Sequence, residues 1–397
     1  VNGADVPDAV AAARRRLVAL SLAPGLGAVR IARLRDHFAS LDAAWLAPHD
    51  ALLEVPGIGP AAAAAIIAAR SSDALGRADA MFCRAAQRGI SVVTWVDAGY
   101  PARLRGIPGS PPVVYIRGAG ARGDRPAVAI VGTRRATPYG IGVAERLAAL
   151  MAARGVDIIS GVARGIDAAA HRAALRSAGR TVGVLGCGVD VVYPPEHRSL
   201  MEAMIRAGGA LIAEAPIGAA PGPGLFPARN RLISGLADAV VVVEGDEDSG
   251  AMITASRAMA QRRPVFAVPG SVYAPGSVGP HRLLGRGAKV LATPDDVLAA
   301  LAGGAAQTGM PAGHGGISHQ GISSAERRVL AAADPGDARS VDRIAAAAGM
   351  DVAAAAAALV ALEVRGAVRR VAGGLYVRDA AGVCKGTGGT AWHDHWS

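Results

Sequence analysis

Arginines and glycines at the ends of short apolar runs are the residues of this chain best suited to hold a ligand. The first such run is SGVARGIDAAAH, Ser160 to His171. Apolar Val156, Ile158 and Ile159 read as a buried strand, and Gly161 and Gly165 as a tight turn into a helix beginning near Asp167. A strand ending this way presents backbone N–H groups at a helix N-terminus, where open donors and the helix dipole both favour an anion. Arg164 adds a planar, permanently charged fork suited to phosphate. The same turn also reads as an ordinary strand-to-helix loop carrying a solvated arginine. A second run, VGTRR, places Gly132, Thr133 and Arg134 after another strand, and a third, FPARNRLISGL, carries Phe226, Arg229, Asn230 and Arg231.

If the strand ends converge, these three groups surround one pocket. Arginines supply bidentate phosphate contacts, and Asn230 can orient a backbone group or a base edge. Phe226, one of four phenylalanines, either stacks a base or fills the core. Asp167 and Glu244 read as helix-capping and arginine-orienting groups, and Ser249, followed by Gly250, as the cap of a helix starting near Ala251. His171 is expected to make a structural hydrogen bond, and Cys187 to be a buried small residue.

The elements that position these groups follow from periodicity. Short apolar strands at 128–131, 157–160, 182–185, 210–213, 239–243, 265–268 and 289–291 alternate with helices. That alternation predicts an α/β fold, a doubly wound, Rossmann-like, mostly parallel sheet with ligands at the carboxyl ends of its strands. The fingerprint GxGxxG is absent after the first of these strands, which excludes a nicotinamide or flavin enzyme of that type. Residues 1–90 read as an all-α helix-hairpin-helix (SAM-like) domain, with turns at APGLG and VPGIG; the second hairpin, followed by five alanines, reads as a degenerate one that mostly packs, and the first leaves open a weak sugar-phosphate contact near Arg30 and Arg33. Residues 91–125 read as an extended connector with Arg103 and Arg105 solvated, 126–301 as the α/β core, and 302–322 as a flexible linker. Residues 323–378 read as three helices and a hairpin turning at Gly373 and Gly374, a winged-helix-like domain, and 379–397 as a disordered tail holding His393 and His395. The third of those helices, nearly all Ala and Val from Val352 to Leu362, offers no side chain to read base edges, so packing or protein contact is its expected role.

The chain has 397 residues and a net charge of +10, enough length for two or three domains and a sign that favours a polyanionic partner. Only Lys289 and Lys385 are lysines, so the basic character is arginine. Cys83, Cys187 and Cys384 form no CxxC pair, which points to a reducing compartment and away from structural zinc. The basic run at Arg14 to Arg16 precedes too short an apolar stretch for a signal peptide, and nothing approaches a bilayer span; a cytoplasmic protein without membrane contact is expected.

The ordered series VAIVGTRRATPYG, SGVARGIDAAAH, LGCGVDVVYPPEH, FPARNRLISGL, VVVEGDEDSGAMITA and VPGS resembles the DNA-processing protein A family (DprA, also called Smf). The resemblance implies a bacterial single-stranded DNA-binding protein, not an enzyme, that helps load the recombinase RecA, uses no cofactor or metal, and carries a winged helix at this end of the chain. It implies a homodimer paired through GPHRLLGRGAKV, with His281, Leu284 and Val290 in the interface. The rival from another class is a nucleotide phosphoribohydrolase of the lysine decarboxylase-like type, whose PGGxGT turn is missing where EGDEDSG stands. A serine hydrolase of Ser160, Asp167 and His171 lacks the GxSxG elbow.

Overall fold

The computed structural model describes residues 8–119, 123–305, 323–333, 338–364, 368–371 and 375–378. The stretch 306–322 of the expected linker, the tail with Cys384, His393 and His395, and the hairpin turn at Gly373 and Gly374 lie outside the described residues. The chain divides into two compact units, 1–308 and 309–397.

Six helices open the first unit among the described residues: α1 (Asp8–Leu22), α2 (Ala28–His37), α3 (Leu41–Leu46), α4 (His49–Leu53), α5 (Pro60–Ala68) and α6 (Ser72–Gln87). The turns between α1 and α2 and between α4 and α5 need a left-handed residue, which Gly25 (φ 73) and Gly57 (φ 81) supply. Arg30 donates from Nε to the Gly57 carbonyl at 3.0 Å and from Nη1 to the Gly25 carbonyl at 2.5 Å. Arg33 donates to Pro56 O at 3.1 Å. The two arginines named as phosphate contacts therefore fasten one hairpin turn to the other.

The segment expected to be a connector does more than connect. It forms β1 (Ile90–Thr94), the short helix α7 (Ala102–Arg105) and β2 (Val113–Gly118), and both strands join the main sheet. Trp95 Nε1 donates to Ser110 Oγ at 3.1 Å and Tyr100 OH to Pro111 O at 2.7 Å, fixing the loop between these strands. Arg105 is exposed as expected, whereas Arg103 is half-buried, and both are held by hydrogen bonds. Arg103 grips Asp238 through Nε and Nη2 at 2.8 and 2.7 Å, and Arg105 donates to the carbonyls of Trp95 and Asp97 at 2.7 Å. A segment that closes a sheet edge must satisfy its backbone carbonyls, and nearby guanidinium groups do so here.

The rest of the unit alternates as expected: β3 (Ala127–Val131), α8 (Pro138–Ala153), β4 (Asp157–Ser160), α9 (Ile166–Arg176), β5 (Thr181–Leu185), α10 (Arg198–Arg206), β6 (Ala210–Ala213) and α11 (Leu225–Leu236). Then follow β7 (Ala239–Val242), α12 (Gly250–Ala260), β8 (Val265–Ala267), α13 (Val278–Gly285), β9 (Lys289–Val290) and α14 (Pro294–Ala305). The sheet order is β1-β2-β6-β5-β4-β3-β7-β8-β9, parallel from β6 to β9, with β2 antiparallel to β6 and to β1. The central strands are fully buried and built mostly of Val, Ile and Ala, the pattern of a sheet covered on both faces. Their amino ends are closed by charge: Arg180 binds Asp157 bidentately at 2.6 to 3.0 Å and Asp124 at 2.6 Å. Successive strands run outward from β3 in one direction to β6, and from β7 in the other, so the order reverses between β3 and β7. A crevice at the carboxyl ends is the geometric result.

The second unit holds α15 (Ser324–Ala332), α16 (Val341–Ala348), α17 (Val352–Val364) and the antiparallel pair β10 (Val368–Val371) and β11 (Leu375–Arg378). Ser323 and Glu326 cap α15 reciprocally, and Gly349 at φ 59 ends α16. Val329, Ile344, Leu359, Leu362 and Val368 form its core. Among the described residues no single helix is long and apolar enough to cross a bilayer.

His171 bears out its expected structural role and has a pH signature. It is fully buried on α9, with Nδ1 2.6 Å from Thr181 Oγ1, while Thr181 donates to Ile158 O at 2.8 Å. The threonine proton is thus engaged, so Nδ1 is the donor and Nε2, buried without a partner, stays unprotonated. Burial, then the nearby His197, Arg229 and Arg172 charges, push its pKa from 6.5 to about 3. The unfolded chain takes up this proton near the ordinary value and the folded chain only near the lowered one. Stability is therefore complete above that ordinary value and is lost as the pH falls, at up to about 1.4 kcal/mol per pH unit. Urea titrations from neutral pH down to about 5, above the range of ordinary carboxylates, should show this slope flattened in His171→Gln; an unchanged slope would refute the assignment.

Candidate nucleic-acid interface

The turns after β3 and β7, with the first turn of α11, enclose a cavity of about 770 Å³ at the point where the strand order reverses. Gly132, Thr133 and Arg134 line one wall, Phe226, Arg229 and Asn230 a second, and Ser249 and Gly250 a third. Gly132 is required by close approach: a Cβ there would lie 2.5 Å from Ile166 Cγ1 and 2.9 Å from the Glu244 carbonyl. Gly165 has φ 75 and sits beneath Thr133 O, where a Cβ would come within 2.3 Å. Both glycines let the β3 and β4 turns touch.

Sequence reasoning left the β4 turn between an anion seat and an ordinary strand-to-helix loop. In the structure this chain's own carboxylate occupies it: Asp167 Oδ2 accepts from Gly161 N at 3.1 Å and from Ala163 N at 3.3 Å. Asp167 is buried on α9 beside the guanidinium of Arg229. Burial pushes its carboxyl pKa up, against the opposing pull of Arg229 and the backbone donors. Arg229, also buried, donates from Nη1 to Gly161 O at 2.8 Å and to Val184 O, joining the ends of β4 and β5 to α11. Burial lowers its pKa to about 10, which leaves it charged at neutral pH. Asp167 therefore does orient an arginine, but Arg229 serves backbone carbonyls rather than an external phosphate.

Arg231 does not join the cavity. It donates to Gly109 O and Ala228 O at 2.8 Å and pairs with Glu214 at 2.8 Å. Two residues along a helix turn the side chain by about 200°, which carries Arg231 off the face shared by Phe226, Arg229 and Asn230. Glu244 caps α8, accepting from Thr137 N at 2.9 Å and from the Thr137 hydroxyl, and among the described residues it pairs with no arginine. Asn230 donates to Gly250 O at 3.0 Å, tying α11 to the start of α12. Ser249 occupies the N-cap position of α12 without making the side-chain cap bond, and its Oγ is buried without a partner at the cavity wall. Cys187 is buried, with Sγ 3.6 Å from Val191 O and its pKa raised by burial.

The exposed charge is at the mouth. Arg134 stands with its guanidinium carbon 5.5 Å from the centre of the Phe226 ring, and Tyr193 lies at 5.5 Å on that ring with a 39° tilt. Phe226 is half-buried, so it serves both readings, one part in the wall and one part facing the cavity. Arg164 lines an adjoining slot and pairs at 2.5 Å with Glu196, both exposed. That neighbour holds the Arg164 pKa above and the Glu196 pKa below their usual ranges. Sequence reasoning missed Arg135 and Tyr193 on these walls, and Asp246 and Asp248 at the α12 side. The doubled arginine of GTRR and the aromatic in VVYPP were the available signals. The two aspartates oppose phosphate on their side and leave the Arg134 and Arg135 side as the favourable one. His281, Leu284 and Val290 lie on α13 and β9; His281 Nε2 is 3.1 Å from Gly270 O, Leu284 is half-buried and Val290 exposed.

Asp167→Ala would leave the Gly161 and Ala163 N–H groups without their acceptor and remove a charge that favours the charged form of buried Arg229. Urea titration should show a loss of about 2 kcal/mol or more, while Glu196→Ala, at the exposed pair, stays near wild type. Equal behaviour of the two variants would contradict this ranking.

Residues 91–302 match the family described as DNA recombination-mediator protein A, and residues 318–374 match the DprA winged helix domain. Protein Smf of Synechocystis is 39% identical over 288 residues, covering 72% of this chain and 71% of that protein. The DNA processing protein DprA of Bacillus subtilis is 38% identical over 218 residues, 54% of this chain and 72% of that protein. Among solved structures, DprA from Streptococcus pneumoniae superposes with a TM-score of 0.59 at 29% identity, covering 75% of this chain and 98% of that one. The family match over the sheet-bearing segment and the similarity along most of the Synechocystis protein agree with the architecture found here, and this chain belongs to the DNA recombination-mediator protein A (DprA/Smf) family.

Proposed function

We propose that this chain binds single-stranded DNA in the cavity between the β3 and β7 turns, protects it, and helps load a RecA recombinase onto it during DNA uptake or recombination, making and breaking no bond. The observation that carries the reading is Arg134 poised over the face of Phe226 at the mouth of a cavity of about 770 Å³. A base stacks on the ring, and the guanidinium groups of Arg134, Arg135 and Arg164 meet the flanking phosphates. Sequence preference is weak, because stacking is indifferent to base identity and phosphate carries none. The protein works in the cytoplasm as a homodimer through α13 and β9, which presents two cavities to one strand and raises avidity.

The alternative, a phosphoribohydrolase, is disfavoured by Glu244. The carboxylate nearest to the expected catalytic position is buried and accepts from both the backbone and the hydroxyl of Thr137, which fits a cap rather than a base facing substrate.

Fluorescence anisotropy with oligothymidine tests the reading. Arg134→Glu should weaken binding by about tenfold or more, the loss of a charge-assisted phosphate contact. Phe226→Ala should cost about 1 to 3 kcal/mol. Salt should weaken wild-type binding with a log-log slope of about 0.7 per phosphate contacted. Wild-type affinity in both variants, or release of free base from nucleoside monophosphates, would overturn the proposal.

A further inference from the structure

The segment from Tyr193 to His197, which leads into α10, is fastened across the β4 turn by three contacts. Tyr193 leans on the Phe226 ring, centre to centre at 5.5 Å, and His197, buried at the N-cap position of α10, donates from Nδ1 to Val162 O at 3.0 Å. Between them Glu196 accepts from Arg164 Nε at 2.5 Å. The outer two contacts hold the backbone, so the carboxylate is presented from a fixed base. Its side chain is nevertheless 48% exposed, and that of Arg164 58%. Pairs this open to water add little to a fold. With the segment already held at both ends, stability does not account for a carboxylate at this position.

The ligand chemistry does account for it. Of the arginines proposed to meet phosphate, Arg134 lies over the Phe226 face, whereas Arg164 already holds an anion. A carboxylate and a phosphate use the same guanidinium donors. A phosphate that reaches Arg164 therefore either displaces Glu196 or binds beside it against a like charge. In both cases the carboxylate weakens the hold on the strand at this point.

We propose that Glu196 is an internal competitor for the phosphate site at Arg164, a role that rests on the single-strand reading of the central cavity. In the free protein the carboxylate occupies the guanidinium, and the bound strand takes its place. The exchange is cheap because the pair is exposed, and it is reversible because His197 and Tyr193 keep Glu196 within reach. As a phosphate lifts off, the carboxylate returns to Arg164, which shortens the residence of the strand. Such a device suits a protein that passes its strand on.

Glu196→Gln keeps the shape and removes the charge. Anisotropy with oligothymidine at low salt should show this variant binding about twofold to fivefold tighter than the wild type, chiefly through slower dissociation, with a melting temperature close to the wild type. Arg164→Gln should bind more weakly than the wild type. Adding Glu196→Gln to Arg164→Gln should bring little further gain, because the competitor has lost the group it competes for. An equal gain with and without Arg164 would mean general repulsion between an acid and a polyanion and would overturn the proposal. So would wild-type or weaker affinity in Glu196→Gln, or wild-type affinity in Arg164→Gln. If any of these occurs while Arg134→Glu weakens binding, the competitor is wrong and the central cavity stands; if Arg134→Glu also matches the wild type, both fall.

Discussion

The anchoring of the β4 turn by buried Asp167 and Arg229 is the constraint on which the rest of the site depends. Parallel strands end in carbonyls and N–H groups that no further ladder satisfies, and here three such turns lie close together. Asp167 takes the N–H groups of Gly161 and Ala163, while Arg229 takes the carbonyls of Gly161 and Val184. Each also favours the charged form of the other, against the opposing effect of burial. Together they lock α11 against the ends of β4 and β5, and that lock fixes where Phe226, one turn earlier on α11, can stand. The aromatic ring at the mouth is thus positioned by the buried hydrogen bonds of Arg229 to the ends of β4 and β5.

The arginines sort into two populations by what their guanidinium groups meet. Arg103, Arg105, Arg180, Arg229 and Arg231 satisfy carbonyls and carboxylates that the fold buries, and Arg30 and Arg33 tie two helical turns together. Arg134 and Arg135 stand exposed beside the crevice. In a chain with only two lysines, arginine performs both the internal bonding and the surface charge. Net charge alone therefore overstates the surface available to a polyanion. The useful quantity is the number of guanidinium groups left facing one crevice, and the acidic residues Asp246 and Asp248 narrow that further to one side of it.

Much of this was legible before any coordinates. The strands from β3 to β9 are short runs of Val, Ile and Ala stopped by glycine, and such runs between helices leave few topologies open. Convergence of GTRR, the β4 turn and FPARNR follows from that topology. Helical phase would also have separated Arg231 from Phe226, Arg229 and Asn230, since positions three and four apart share a face and positions two apart do not. The occupation of the β4 turn by Asp167 was harder to read, because an acid in a first helical turn suits either a cap or a vacant anion site. The membership of β1 and β2 in the sheet was not readable at all: Val113 to Gly118 looks extended on its own, yet its pairing with β6 joins segments far apart in sequence. For the same reason Arg103 looked solvated, although Asp238 waits at the start of β7.

Hydrogen exchange with and without bound oligothymidine addresses the central claim most directly, since it locates the strand without altering any residue. Slowed exchange is predicted in the peptides spanning 131–135, 161–166, 222–230 and 246–250, the turns that meet at the reversal of strand order. Slowing confined to the winged helix at 323–378, with those four turns unchanged, would contradict the account.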